Sequence, residues 1–133
     1  MKNELYELYK QCFPKSQLSK ELFLEEIDYE NSNIIITQEH CHMVGASVVD
    51  KNALRLLCVA PSMQGKGYGE KLLKRSEEAI QEDGYEEAIL YKSDRLFSDM
   101  NMDELKELHF FTHHNYKPVK CDVTTWGSKQ LAE

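Results

Sequence analysis

The chain has 133 residues, 41% hydrophobic and 29% charged, with a formal net charge of −7. That length and balance describe one soluble domain with a real core and exclude a disordered chain, while the acidic charge argues against nucleic acid as a partner. No apolar run approaches the length of a membrane span, and Met1-Lys2-Asn3-Glu4-Leu5 lacks the apolar region of a signal peptide, so a cytoplasmic protein is the default expectation.

Leu5, Leu8, Tyr9, Cys12 and Phe13 recur with helical spacing and predict an amphipathic helix stopped by Pro14. Ser19 is placed to cap a second helix with Glu21 in its first turn and Phe23, Leu24 and Ile27 inward; this helix should fray between Asp28 and Asn33. The β-branched run Asn33–Thr37 and the run Met43–Val49 predict two strands, joined by 38–42. A turn at Asp50-Lys51-Asn52 leads into a third strand, Ala53–Val59, apolar on both faces except at Arg55, as a central strand should be. These connections are too short for crossover helices, so an antiparallel meander is expected.

Pro61 ends the third strand, and the segment Gln64-Gly65-Lys66-Gly67-Tyr68-Gly69 opens a helix whose one face carries Tyr68, Leu72, Leu73, Ser76, Ala79 and Ile80. Gly84 sits where that helix needs a left-handed residue. Glu87–Lys92 reads as a strand parallel to Ala53–Val59, since a helix connects them. A polar loop, a helix from about Asp103 to His114 with Leu105, Leu108, Phe111 and Thr112 inward, and a closing pair of strands at Tyr116–Val119 and Val123–Trp126 complete the chain, with Asn115 taking the left-handed position after the helix. The fold class is α/β of the α+β kind: a mixed, mostly antiparallel sheet flanked by helices, in one domain over 1–133.

A glycine loop feeding a helix N-terminus aims free backbone N–H groups and the positive end of the helix dipole at an anion. The P-loop pattern fails, because no Lys-Ser or Lys-Thr follows a second glycine at the required distance. The dinucleotide pattern fails because Glu70 stands where its third glycine belongs. Gln64-x-x-Gly67-x-Gly69, following a strand that ends at Val59, resembles the (Q/R)xxGx(G/A) signature of the GCN5-related N-acetyltransferase (GNAT) family.

That resemblance implies that acetyl-coenzyme A is the co-substrate. Its pyrophosphate would be held by backbone N–H groups of Gln64, Gly65, Lys66, Gly67, Tyr68 and Gly69. Its pantetheine arm would pair with main-chain groups of Leu57, Cys58 and Val59, and a backbone N–H there would stabilise the oxyanion. The implied activity is N-acetyl transfer to a small-molecule or peptide amine by direct transfer, with no membrane partner. The same residues also admit a non-catalytic acyl-coenzyme A-binding or regulatory module. The element order matches the family except that its usual strand before the first helix is missing here, which leaves Asn33–Thr37 as an edge and allows a homodimer.

The catalytic residues are harder to place. Many family members carry Phe-Tyr-x-x-x-Gly-Phe on the later helix, the tyrosine protonating the leaving thiolate; here the run is Phe110-Phe111-Thr112-His113-His114-Asn115-Tyr116, and Phe111 has no proton to give. The glutamate that some members place on the glycine-loop strand is also missing. Two candidate acids remain, His114, one helical turn beyond Phe111, and Tyr91, on the strand facing the cleft in the family. The ordinary alternatives are a surface histidine near a helix C-terminus and a half-buried aromatic in a strand.

His40-x-His42 with Cys41 lacks further ligands and reads as a solvated hairpin turn, so no metal is expected. Cys12, Cys41, Cys58 and Cys121 form no CxxC pair and should be reduced, Cys12 and Cys58 as small core residues; Cys58 as a nucleophile would need a paired histidine that is not evident.

Overall fold

The computed structural model describes residues 1–14, 17–91, 111, 113–118 and 125–131; for 91, 118 and 125–127 the backbone alone is described. Helix α1 (Lys2–Cys12) turns Leu5, Leu8 and Tyr9 inward, and Phe13 follows, buried, before Pro14. Helix α2 (Lys20–Glu26) starts at the expected cap: Ser19 Oγ accepts from the Leu22 N–H at 3.2 Å. Phe23 and Ile27 are fully buried and Leu24 half-buried, and the chain leaves the helix in turns from Ile27. Tyr9 joins the two helices, its ring centroid 4.4 Å from that of Phe23 and 5.2 Å from that of Phe13.

Six strands form one sheet: β1 (Asn33–Glu39), β2 (His42–Asp50), β3 (Ala53–Val59), β4 (Glu87–Tyr91), β5 (Lys117–Pro118) and β6 (Thr125–Gln130). Their order is β1-β2-β3-β4-β6-β5, and every pairing is antiparallel except β3 with β4. The meander is thus as expected, with longer strands. β1 and β2 reach their shared turn so fully that only His40 and Cys41 connect them, both with positive φ (52° and 68°). Two left-handed residues suit the twist of a two-residue hairpin, so this segment is a tight turn rather than a five-residue loop. The closing strands also shift: β6 runs to Gln130, past the predicted end at Trp126, and lies between β4 and β5. Of the helix predicted from about Asp103 to His114, residues 103–110 and 112 lie outside the described residues, as do strand residues Lys92, Val119, Val123 and Thr124 and also Cys121; Phe111 and His113 are helical as expected. Cys12, Cys41 and Cys58 are reduced.

The sheet separates two cores. On one side α1 and α2 pack on Ala46, Val48, Leu56, Cys58 and Ala60. On the other, Leu72, Leu73 and Ile80 of helix α3 (Tyr68–Glu82) pack with Val49, Leu54, Leu90, Phe111 and Tyr116. Gly45 allows α3 its close approach, since a Cβ there would come within 2.8 Å of Leu72 Cδ1. One turn on, the fully buried hydroxyls of Ser76 and Ser47 bond at 2.7 Å, and Ser76 also donates to the Leu72 carbonyl. Helix α3 ends as its glycine predicts: Gly84 has φ 93°, its N–H donates to Gln81 O, and the Tyr85 N–H donates to Ile80 O.

Candidate functional site

The lone charged residue of β3 marks the place where the site is made. Opposite Val48 and Val49 of β2, β3 carries one residue too many: Val48 pairs with Leu56 and Val49 with Leu54, leaving Arg55 as a bulge. Side-chain alternation breaks there. Leu54 joins the α3 core, whereas Arg55 and Leu56 both turn to the α1–α2 side. Arg55 Nη2 donates to the Glu26 carbonyl at the end of α2 (2.8 Å) and Nη1 meets Asp50 Oδ2 (3.3 Å), so the bulge also ties α2 to the sheet.

Among the described residues, which follow β4 as far as Tyr91, the parallel pairing of β3 with β4 covers Ala53↔Ile89 and Leu54↔Leu90, while β2 follows β3 as far as Val59↔Gly45. The Ala60 N–H donates to Val44 O on β2 (2.8 Å). Main-chain polar groups alternate along a strand, so Leu56 and Cys58 face β2 in the same way and Leu57 and Val59 face away from it. The Val59 carbonyl is met there by Gln64 Nε2 at 3.1 Å and Cys12 Sγ at 3.2 Å. Among the described residues, the Leu57 N–H, the Leu57 carbonyl and the Val59 N–H keep their edge open, a template on which an extended amide-bearing chain can pair. Of the three strand residues expected to face the ligand, Cys58 is thus the exception: its main chain belongs to the β2 ladder and its side chain to the α1–α2 core.

Beyond Val59 the chain turns through a 3₁₀ segment, Pro61–Met63, into the glycine loop. Gln64 to Gly67 are exposed. Gly65 and Gly67 have φ of 80° and 90°, and a Cβ on either would project into open space. Among the described residues, the first N–H of α3 with a partner is that of Lys71, which donates to Gly67 O at 3.1 Å. The N–H groups of Tyr68, Gly69 and Glu70 are therefore the orphan donors of a helix N-terminus, and the open glycine surface lets an anion reach them. The Tyr68 phenol, expected on the buried face, is half-buried and donates to Glu39 Oε1 at the end of β1. That bond, burial and the carboxylate's charge hold the phenol above its ordinary pKa.

The catalytic candidates lie on the α3 side of the sheet or at the end of β4. Phe111 is 8% exposed, and its ring meets that of Tyr116 edge-on at 5.6 Å, in the cluster that also takes the side chains of Leu57 and Val59. His114 is half-buried; its N–H donates to Phe111 O, its ring lies 5.2 Å from that of His113, and Asn115 follows with φ 75°. The main chain of Tyr91 ends β4 opposite Thr125, and its side chain lies outside the described residues. Sequence reasoning passed over a third polar group on this side. Tyr116 Oη donates to Glu77 Oε2 (2.8 Å), and Lys129 Nζ lies 3.1 Å from the same carboxylate and over the Tyr116 ring. Burial, then the Glu77 charge, pushes the Tyr116 phenol far above its usual pKa. His40 lies in the hairpin turn and His42 opens β2, and no group of three metal-ligating side chains occurs among the described residues.

A strand edge that is open among the described residues, continuous with an exposed glycine loop and helix N-terminus, suits a ligand with an extended amide arm and a diphosphate. Residues 2–96 match a family model described as an acetyltransferase (GNAT) domain. Among solved structures, the PaiA N-acetyltransferase of Thermoplasma acidophilum in complex with coenzyme A aligns with 97% of this chain and 92% of its own, at a TM-score of 0.71 and 17% identity. An aminoglycoside 6′-N-acetyltransferase complexed with coenzyme A aligns with 99% and 91%, at 0.76 and 16% identity. The ribosomal-protein-S18-alanine N-acetyltransferase from Escherichia coli aligns with 99% and 88%, at 0.75 and 12% identity. No curated protein matches the sequence significantly. Identities this low establish the fold alone, but the family model spans most of the chain, and by it the chain belongs to the GNAT family of acetyltransferases.

Proposed function

We propose that this protein transfers the acetyl group of acetyl-coenzyme A to an amine by direct attack within a ternary complex. The observation that carries the reading is the exposed glycine loop that follows β3 and opens onto the first N–H groups of α3, which have no partner among the described residues. The N–H groups at the loop and the first turn of α3 bind the diphosphate, and Leu57 and Val59 align the pantetheine amides along the open edge. A thioester bound this way presents an activated acetyl carbonyl. The chain's part is to fix that carbonyl, offer a backbone N–H of β3 to the oxyanion, and exclude competing geometries. The neutral amine forms the new C–N bond, the C–S bond breaks, and the amine loses a proton to water. The departing thiolate takes a proton from His114 or Tyr91, since Phe111 has none.

The acceptors named for the solved neighbours, an aminoglycoside and a ribosomal-protein alanine, set the range of the test. Thiol release from acetyl-coenzyme A is followed with an aminoglycoside, polyamines, free amino acids and peptides with free N-termini. Release that depends on one acceptor class is the expected result. Coenzyme binding without acceptor-dependent release from any of them would favour a non-catalytic acyl-coenzyme A-binding module.

A further inference from the structure

We infer that Tyr68 and Glu39 form a positioning pair that holds the first turn of α3, and with it the N–H groups offered to the coenzyme diphosphate, against the end of β1. The inference rests on the coenzyme reading proposed above and adds Glu39, on a strand remote in sequence, to the machinery of that site.

The reason lies in where the packing of α3 stops. Leu72 against Gly45 and Ser76 against Ser47 fix the helix from its second turn onward, deep in the protein. Among the described residues, the first turn has no such contact. Gln64 to Gly67 are exposed and Gly69 is half-buried, and three of the residues from 64 to 69 are glycines, which lose the most conformational freedom when ordered. Among the described residues, one side-chain hydrogen bond joins the first turn of α3 to the sheet: that from Tyr68 Oη to Glu39 Oε1. Glu39 is the last residue of β1, immediately before the rigid two-residue hairpin at His40 and Cys41, so its own backbone is well anchored. An anchored carboxylate gripping the phenol sets the rotation of the first turn and lowers the ordering cost of binding.

A carboxylate near an anion site would be unfavourable if charge were its contribution. The inferred role needs only an acceptor oxygen, and Glu39→Gln keeps one while removing the charge. Coenzyme A affinity is measured by titration calorimetry for the unsubstituted protein, Tyr68→Phe, Glu39→Ala, Glu39→Gln and the double variant Tyr68→Phe/Glu39→Ala, with the urea midpoint of each. Tyr68→Phe and Glu39→Ala should each weaken binding roughly tenfold, as loss of one charge-assisted hydrogen bond does, with midpoints close to that of the unsubstituted protein. The double variant should lose no more than the worse single variant, and Glu39→Gln should recover most of the affinity lost in Glu39→Ala.

Unchanged affinity in both single variants, losses that multiply in the double variant, or tighter binding in Glu39→Ala and Glu39→Gln alike would each overturn the pair. If the unsubstituted protein itself fails to bind coenzyme A, the coenzyme reading falls and the inference with it. If Tyr68→Phe does not fold, the comparison of Glu39→Ala with Glu39→Gln still decides.

Discussion

Gly67 carries two demands that only glycine meets together. Its φ of 90° lies where an L side chain is strained, and its open Cα face is where a diphosphate would touch the main chain. Gly67→Val should abolish coenzyme A binding in titration while the protein stays folded; unchanged affinity would remove the loop from the site. Phe111 poses the complementary question. Its ring is buried against Tyr116, so a hydroxyl added there without a partner costs about 1–3 kcal/mol of stability. If His114 or Tyr91 already supplies the proton, Phe111→Tyr should leave turnover nearly unchanged, while His114→Gln or Tyr91→Phe lowers kcat, by up to ~10²-fold, with coenzyme affinity retained. Full activity in His114→Gln, Tyr91→Phe and their double variant would leave solvent as the donor.

At the scale of the element, helix α3 is bounded by two glycines with nearly the same φ and different duties. Gly84, at φ 93°, closes the helix through the Gln81 and Ile80 carbonyls, and a Cβ there meets nothing within 4 Å. Gly84→Ala therefore isolates the cost of the left-handed backbone. Chemical denaturation should show a loss of about 1–2 kcal/mol, with coenzyme A affinity unaltered. The variant also serves as the control for Gly67→Val, since it carries similar strain without standing in the site. A loss of coenzyme affinity in Gly84→Ala would mean that strain anywhere in α3 is enough to disturb the loop. Strand β3 is divided too: up to Leu54 it pairs with β4, and the bulge at Arg55 separates that part from the stretch that leads into the glycine loop.

For the molecule as a whole, the Tyr116–Glu77–Lys129 cluster ties α3 to β6 and to the turn before β5, and it should govern alkaline stability. The phenol's pKa is raised in the folded state. Above about pH 10 the unfolded chain releases this proton and the folded protein keeps it, so the unfolded state binds fewer protons and stability falls as pH rises. The contribution is complete below the unfolded pKa and declines above it, by up to about 1.4 kcal/mol per pH unit. Tyr116→Phe, lacking the titrating group, should show a shallower alkaline decline in urea denaturation between pH 10 and 11. An unchanged slope would show that the cluster does not control it.

What the sequence determined by itself was whatever is encoded between near neighbours. Ser19 caps α2, Pro61 ends β3, Gly84 closes α3 and Gln64-x-x-Gly67-x-Gly69 forms an exposed loop at a helix N-terminus, because each depends on backbone geometry within a turn or two. The parallel placement of β4 beside β3 was readable too, since a helix crossover leaves little choice of direction. Tertiary structure decided the rest. Arg55 looked like a single polar interruption in an apolar strand; only pairing with Val48 and Val49 makes it a bulge, reverses the alternation and turns the main-chain groups of Leu57 and Val59, but not Cys58, to the edge away from β2. Tyr68 fitted the apolar stripe of its helix by spacing, yet it meets a carboxylate from another strand, because helical periodicity says which side a residue lies on and not what stands opposite. Glu39, Glu77 and Lys129 carried no local signal at all: their partners are brought together by the packing of α3 across the sheet, and that packing joins residues far apart in the chain.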